Sequence, residues 1–192
     1  MKKETVEIFY PKNKKAWRQW LEENHASKKT IWLICYKKSA NKDTIIWGDA
    51  VDEALCFGWI DSTVRPIDDE KYMRSFMKRK PNGTWSKINK EKIELLIASG
   101  KMTNAGLECI EKAKQNGSWE ILDEVEELII PKELEEAFKT KPGSKDFFIS
   151  LSRSVRKAML HRIALAKRPE TKQKRIVEII EAAGLNKKPK QF

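Results

Sequence analysis

Residues 47–62, with the sequence WGDAVDEALCFGWIDS, constrain the fold more than any other part of the chain. Apolar residues recur in the first half of this stretch at the spacing of one helix face. They are Trp47, Ala50, Val51, Ala54 and Leu55. Gly58 then stands where a helix ends in a left-handed residue, and residues 59–64 have the β-branched and aromatic character of a strand. The pattern predicts a buried helix that passes directly into a strand.

Three acidic residues of the predicted helix, Asp49, Asp52 and Glu53, fall on the face opposite the apolar one. A fourth carboxylate, Asp61, lies among apolar and aromatic residues, which is an unusual environment for a charged side chain. If the strand at 59–64 pairs with a strand at 71–78, Arg74 can reach Asp61 across the two strands. This arrangement predicts that Asp61 takes part in a site.

The aromatic residues near Asp61 are suited to form the walls of a pocket. We therefore predict a ligand-binding site for a small polar molecule or a peptide. Its predicted residues are Trp59, Asp61, Arg74, Trp85 and Ser86. The alternative is a structural role for Asp61, because buried acids are more often paired structurally than catalytic.

The remaining pattern predicts an α+β protein. Residues 4–9 alternate as a strand does, and residues 30–36 are so continuously apolar that both faces of that strand should be covered. We expect a small mixed or antiparallel sheet of about four strands, packed with helices, in residues 1–118. An acidic connector is expected at 119–130, followed by a helical C-terminal segment at 131–192.

Composition excludes several classes of protein. The chain has three cysteines, widely spaced within apolar runs, and two histidines. This predicts free, buried thiols in a reducing compartment and no structural zinc site. No apolar run approaches the roughly 18 residues of a membrane span, and the N-terminus lacks the apolar core of a secretory signal. A cytoplasmic location and no metal or cofactor are therefore expected, while the ligand and the oligomeric state stay open.

No complete catalytic arrangement is visible in the sequence. Cys56 has no histidine near it to act as a base. The chain contains neither a Gly-x-Ser-x-Gly elbow nor a phosphate-binding loop. A non-enzymatic function is therefore favoured, and the alternative is a small-molecule enzyme centred on Asp61.

The net charge of +11 is unevenly distributed along the chain. Residues 71–92 hold eight Lys or Arg against one acid, residues 153–175 hold nine against one, and residues 108–136 hold ten acids against three bases. The two basic blocks suggest nucleic-acid binding as an alternative function. The residues expected to contact phosphates are Arg156, Lys157, Lys167, Arg168, Lys172 and Arg175. The charge pattern of residues 153–175 is also that of an ordinary amphipathic pair of helices, which needs no nucleic-acid partner.

Five sequence blocks resemble the YdeI/OmpD-associated family, also called bacteriocin-protection proteins. They are AVDEALCFGWIDS (50–62), WSKIN (85–89), GKMTNAGL (100–107), SLSRSVRKAML (150–160) and AKRPETKQKRI (166–176). The blocks occur in order over nearly the whole chain. Ile46 and Trp47 depart from the pattern, because the family usually has a Ser or Thr cap and a Tyr there.

The resemblance implies a bacterial, cytosolic α+β protein linked by name to protection against bacteriocins or cationic antimicrobial peptides and to a porin. It implies no catalytic residues. The leading hypothesis is therefore a non-enzymatic binding or stress-protection protein with its site near Asp61. A cationic peptide partner conflicts with the net charge of +11, unless it uses the acidic block 108–136.

Overall fold

The computed structural model describes residues 7–189, which form two compact units. The first unit comprises the residues up to Gly83 together with Ile88–Ser118. The second comprises Thr84–Lys87 and the residues from Trp119 onwards. Residues 4–6 of the predicted N-terminal strand lie outside the described residues.

Residues 7–115 contain four strands and four α-helices. They are β1 (Ile8–Phe9), α1 (Lys14–Asn24), β2 (Thr30–Tyr36), α2 (Trp47–Cys56), β3 (Trp59–Pro66), β4 (Lys71–Lys78), α3 (Lys87–Ala98) and α4 (Asn104–Gln115), with a 3₁₀ turn at Lys38–Ala40. The sheet order is β1-β2-β4-β3, with β1 parallel to β2 and the other two pairs antiparallel. The α+β prediction with a four-stranded mixed sheet is confirmed.

The joint between α2 and β3 is formed as the sequence predicts. Gly58 adopts a left-handed conformation with φ of 72°, which glycine tolerates without strain. The cap of α4 then ties this joint to the next layer, because both the amide and the hydroxyl of Thr103 donate to the carbonyl of Cys56. The end of α2 is thus held between the sheet and α4.

Strand β2 is buried more completely on one face than on the other. Ile31, Leu33 and Cys35 are buried on one face. On the other face Trp32 lies under the guanidinium of Arg65, 4.6 Å from the ring centroid, and the neighbouring residues are partly exposed. The prediction that both faces are covered is therefore correct for the face of Ile31, Leu33 and Cys35. It is only partly correct for the other face, where the Arg65 guanidinium and not a helix or strand covers Trp32.

A β-bulge in β3 sets the register next to Asp61. The pairing with β4 shifts between Asp61 and Val64, and the hydroxyl of Ser75 fills the gap by accepting from the amide of Thr63 at 2.9 Å. Asp61 is the last residue before the shift and pairs with Phe76 in the sheet. The bulge re-aims the side chains of β3 at the point where the predicted site lies.

The second unit is helical. Its elements are α5 (Asp123–Glu126), α6 (Lys132–Phe138), α7 (Ser144–Ser150), α8 (Arg153–Ala164) and α9 (Pro169–Gly184). The stretch 119–130, expected as an acidic connector, contains α5 and places Leu122 and Val125 in the core of this unit. The predicted helical C-terminal region is confirmed. None of the helices within residues 7–189 is long and apolar enough to cross a membrane.

Candidate functional site

Asp61 forms an ion pair with Arg74 across β3 and β4, as the sequence predicts. The Nη1 of Arg74 lies 2.7 Å from Oδ2 of Asp61, and each side chain is less than one-fifth exposed. The indole of Trp47 donates to the same carboxylate oxygen at 2.9 Å. The guanidinium also lies 5.1 Å from the centroid of the Trp47 ring, within cation–π range. These three residues form the Asp61 cluster.

Trp47 corrects the predicted helix face. The spacing placed it with the buried residues of α2, but it is 52% exposed. It is the first residue of the helix, so its side chain lies beyond the part of α2 that packs on the sheet. Its N–H needs a partner, which Asp61 supplies. The sequence signal for this exposure is a tryptophan, which has a polar N–H, at the first position of a predicted helix.

The other three predicted site residues are not part of this cluster. Trp59 is fully buried, packs edge-on against Trp20 and donates to the carbonyl of His25. It therefore supports β3 from the core and does not contact solvent. Trp85 and Ser86 belong to the second unit, where Trp85 is buried against Trp119.

The geometry of the Asp61 cluster suits binding better than chemistry. Both donors converge on one oxygen of Asp61, so the carboxylate is neutralised by Arg74 and held in place. That oxygen is therefore already occupied by two donors of this chain. The exposed indole of Trp47, in contrast, is an oriented apolar surface of the type enriched in binding sites.

Replacing Asp61 by asparagine should lower the free energy of unfolding by about 1–2 kcal/mol, because Arg74 loses the charge of its partly buried partner. Urea unfolding at neutral pH measures this difference. Asp69→Asn is the matched control, since Asp69 is exposed in the β3–β4 turn. Equal stability of the two variants would contradict the structural importance of the pair.

A second charged cluster joins α1 to α2. Glu53 is only 2% exposed, its Oε2 accepts from Arg18 at 2.7 Å and its Oε1 lies 3.6 Å from Nζ of Lys14. The sequence placed Glu53 on the polar face of α2, but that face is covered by α1, which supplies the two cations. Nearby, Asp52 pairs with Lys92 at 2.5 Å. Each buried or partly buried acid thus has a cation beside it, which fits a structural network.

The three cysteines are free, and two of them are buried as predicted. Burial, reinforced by the Glu53 carboxylate, raises the pKa of the Cys56 thiol to about 11. The thiol is therefore protonated at neutral pH and is a weak nucleophile. Cys109 departs from the prediction because it is partly exposed. Within residues 7–189, no group of three His, Cys, Asp or Glu side chains is placed to hold a metal ion.

Some of the predicted anion-binding residues of the second unit already contact other residues of the chain. Three of the six make such contacts: Lys157 with Glu126 at 2.5 Å, Lys172 with Glu133, and Arg175 with the carbonyl of Arg162. Arg156 is partly buried, while Lys167 and Arg168 are exposed between α8 and α9. Because half of the set already has partners, fewer cations are available to phosphates. Nucleic-acid binding stays a prediction that its salt dependence would test.

An open groove of about 700 Å³ lies between α6 and α9 in the second unit. Its floor consists of Ala137 from α6 and of Val177 and Ile180 from α9. Val177 is 41% exposed although Ile176, Ile179 and Ile180 of the same helix are buried. We call this feature the α6–α9 groove. An apolar floor that is open to solvent is typical of a recognition surface.

Carboxylates outnumber cations on the rim of the groove. The charged rim residues are Glu133, Glu136, Glu181, Lys132 and Lys141. Glu133 pairs with Lys172 and Glu136 with Lys139, all of them on a solvated surface where such pairs are weak. Glu181 makes no ion pair with any residue of the described part of the chain. Glu181 is therefore the rim carboxylate that a cation of a partner can approach without displacing a lysine of the described chain.

Sequence reasoning missed the groove, although part of its signal is visible. Glu133, Glu136 and Ala137 have the spacing of one face of α6, and Val177, Ile180 and Glu181 have that of one face of α9. Such a pattern shows that apolar and acidic residues share a face. It does not give the distance between the two helices, which creates the groove.

Two family models match separate parts of the chain. Residues 9–109, just over half of the chain, match a family described as a domain of unknown function, DUF8412. Residues 127–185 match a family described as bacteriocin-protection, YdeI or OmpD-associated. No curated protein and no solved structure matches the chain significantly.

The predicted resemblance to the YdeI/OmpD-associated family is confirmed for residues 127–185 only. The earlier blocks, at 50–62, 85–89 and 100–107, fall inside the other match. The α6–α9 groove lies wholly within the segment similar to bacteriocin-protection proteins. The chain therefore belongs to the family of the domain of unknown function DUF8412, and it carries a C-terminal segment similar to the YdeI/OmpD-associated bacteriocin-protection family.

Proposed function

We propose that this protein is a non-enzymatic binding protein that protects cells by holding a cationic, amphipathic peptide of the bacteriocin type in the α6–α9 groove. The observation that carries the proposal is the apolar floor and acidic rim of that groove, within the segment similar to bacteriocin-protection proteins. The earlier expectation of a site at Asp61 is thereby replaced as the leading one.

The apolar floor of the groove suits a helical peptide that lies between α6 and α9. Val177 and Ile180 are three residues apart on α9, and Ala137 is a small residue of α6 on the same floor. The apolar side chains of a partner helix, at i, i+3 and i+4, can pack on such a floor. A volume of about 700 Å³ accommodates several side chains of that partner and leaves the rest of it in solvent.

The charge of the rim gives the groove its selectivity. Lysine or arginine side chains beside the apolar stripe of a peptide would lie near Glu133, Glu136 and Glu181. The chain as a whole carries +11, so a cationic peptide is repelled elsewhere on the surface. Glu133 and Glu136 belong to the acidic block 108–136; each already faces a lysine on the solvated surface, where a cation of the peptide can share or replace that weak contact.

The proposal is tested by binding of a synthetic helical peptide of leucine and lysine to the full-length protein, measured by calorimetry. Val177→Lys places a cation on the floor without filling a buried site, and it should weaken binding at least about tenfold. Ile149→Lys is the matched control, because Ile149 is also exposed, at 48%, in the same unit. Its affinity should equal that of the unmodified protein.

Removing the rim charges should weaken binding in a salt-dependent way. The triple substitution Glu133→Gln, Glu136→Gln and Glu181→Gln should lower the affinity about threefold to tenfold at low salt and less at high salt. A peptide in which glutamate replaces lysine should bind weakly to every form. Equal binding of both peptides, or an equal loss in Ile149→Lys and Val177→Lys, would contradict the proposal.

The Asp61 cluster is the second candidate binding surface, favoured by the exposed and oriented indole of Trp47. A small polar molecule or a peptide side chain can stack on that ring while Arg74 offers donors beside it. Trp47→Ala separates the two candidates. It leaves peptide affinity unchanged if the groove is the site and abolishes it if the Asp61 cluster is.

A further inference from the structure

The first unit contains a small cavity that neither the Asp61 cluster nor the groove uses. Its volume is about 190 Å³, and it lies where β4 and the α2–β3 joint meet α4. Lys78 and Arg79 from the end of β4 line it on one side, and Cys109 and Lys112 from α4 on the other. We call it the basic cavity.

Positive charge dominates this cavity. Lys78, Arg79 and Lys112 line it together with one acid, Glu108. Glu108 lies 3.8 Å from Lys112, but both side chains are more than 60% exposed, so water screens their attraction. Arg79 is partly buried, so water screens its charge less than the charges of the exposed Lys78 and Lys112, and the three cations together attract anions.

The fields of the three cations converge on the thiol in the wall. The pKa of Cys109 is raised above its ordinary value by burial, which is the largest effect, while Arg79, Lys112 and Lys78 each act to lower it. Burial also lowers the pKa of Arg79 to about 10, because its charge is partly removed from water. The Asp61 carboxylate acts in the opposite direction, and an anion in the cavity would add to that stabilisation of the Arg79 charge.

The cavity is held in shape by the backbone around Gly58. The amide of Arg79 donates to the carbonyl of Gly58 at 2.9 Å, which fixes the end of β4 to the joint. A Cβ at Gly58 would lie 3.1 Å from Cβ of Cys109 and 3.2 Å from the carbonyl oxygen of Ala105. The lack of a side chain at Gly58 therefore allows α4 to approach the joint closely.

We infer that the basic cavity binds a small oxyanion: phosphate, either as the free ion or as the phosphate group of a small molecule. The volume is below the roughly 300 Å³ of pockets for larger ligands and above the roughly 30 Å³ of a single water. Guanidinium and ammonium groups are the donors that proteins use for phosphate oxygens. This inference is independent of the peptide-binding proposal, which concerns the second unit.

Cys109 provides a reporter for the test, because Cys35 and Cys56 are buried. The full-length protein is alkylated with iodoacetate, which is anionic, and with iodoacetamide, which is neutral, at constant ionic strength. Inorganic phosphate should slow the alkylation of Cys109 by both reagents, about tenfold at a concentration about ten times its Kd. The ratio of the iodoacetate rate to the iodoacetamide rate should also be higher at Cys109 than at the thiol of a free peptide.

Two exposed lysines test the role of the charge without disturbing the fold. The double variant Lys78→Gln/Lys112→Gln should weaken phosphate protection about tenfold. Lys15→Gln, an exposed lysine on α1, should leave it unchanged. Phosphate protection that is absent, or that is equal in the double variant and in the unmodified protein, overturns the inference.

A parallel experiment with phenyl phosphate distinguishes the two sources of the oxyanion. Stronger protection by phenyl phosphate assigns the cavity to the phosphate group of an organic molecule. Stronger protection by inorganic phosphate assigns it to the free ion. Protection by neither compound contradicts the proposal in both forms.

Discussion

Gly106→Ala should lower the free energy of unfolding by about 3 kcal/mol, the largest loss that we expect from a change of one methyl group in this chain. Gly106 lies in the first turn of α4, where the helix meets the end of α2. A Cβ there would lie 2.3 Å from the carbonyl oxygen of Cys56 and 2.8 Å from its carbonyl carbon. Because both are backbone atoms, α4 would have to move away from the α2–β3 joint.

The same movement would break the bonds that the cap of α4 makes. Thr103 donates to the carbonyl of Cys56 through its amide at 3.1 Å and its hydroxyl at 2.6 Å. Urea unfolding followed by circular dichroism measures the loss. Gly48→Ala is the matched control, since it lies in α2 with no atom within 4 Å of the added Cβ. It should leave the stability unchanged or raise it by about 0.5–1 kcal/mol.

Glu53→Gln should lower the free energy of unfolding by about 2 kcal/mol, because it leaves two cations facing a buried neutral amide. Breaking a fully buried ion pair has a larger effect, but the side chain of Arg18 is 31% exposed and water screens part of its charge. The loss should persist in high salt, because the Glu53 side chain is only 3% exposed. Thermal and urea unfolding at low and high sodium chloride provide the comparison.

Asp49→Asn is the control for Glu53, because it removes a carboxylate that contacts the same Lys14 from the surface of α2. Asp49 lies 3.2 Å from Lys14 with its side chain 42% exposed. Its loss should change stability by less than about 1 kcal/mol, and high salt should abolish the change. A greater loss for Asp49→Asn than for Glu53→Gln would contradict the assignment of Glu53 as the structural carboxylate.

Local sequence signals predicted the centre of the first unit well. A glycine after an apolar helix face specifies a left-handed helix end, so the joint at Gly58 was predictable from neighbouring residues alone. The pair formed by Asp61 and Arg74 was also predictable, because a hairpin brings the two strands together. Each of these inferences needs information from only one or two adjacent elements.

The missed features depend on elements that are distant in sequence. Helix periodicity shows that Glu53 is opposite the apolar face of α2, but it does not show that α1 covers this second face with Arg18. The hydrogen bond from Trp47 to Asp61 depends on how the start of α2 lies relative to β3. The α6–α9 groove depends on the distance between helices that are separated by α7 and α8. None of these quantities is encoded in a short pattern.

The basic blocks show that the sequence also does not reveal which charges are paired in the folded protein. Counting charges along the sequence identified a cationic segment at 153–175, but pairing in three dimensions decides which cations are available. Glu126 and Glu133, from the acidic block, take Lys157 and Lys172. The two blocks with opposite charges are therefore partly each other's partners, which a linear count cannot show.

The most direct test of peptide binding in the second unit is an NMR titration of the full-length, ¹⁵N-labelled protein with the leucine–lysine peptide. Binding in the α6–α9 groove predicts saturable shifts of the amides in residues 132–141 and 173–184, and these shifts should disappear in Val177→Lys. Shifts confined to the neighbourhood of Trp47 and Asp61, or an absence of saturable shifts in the two segments, would contradict it.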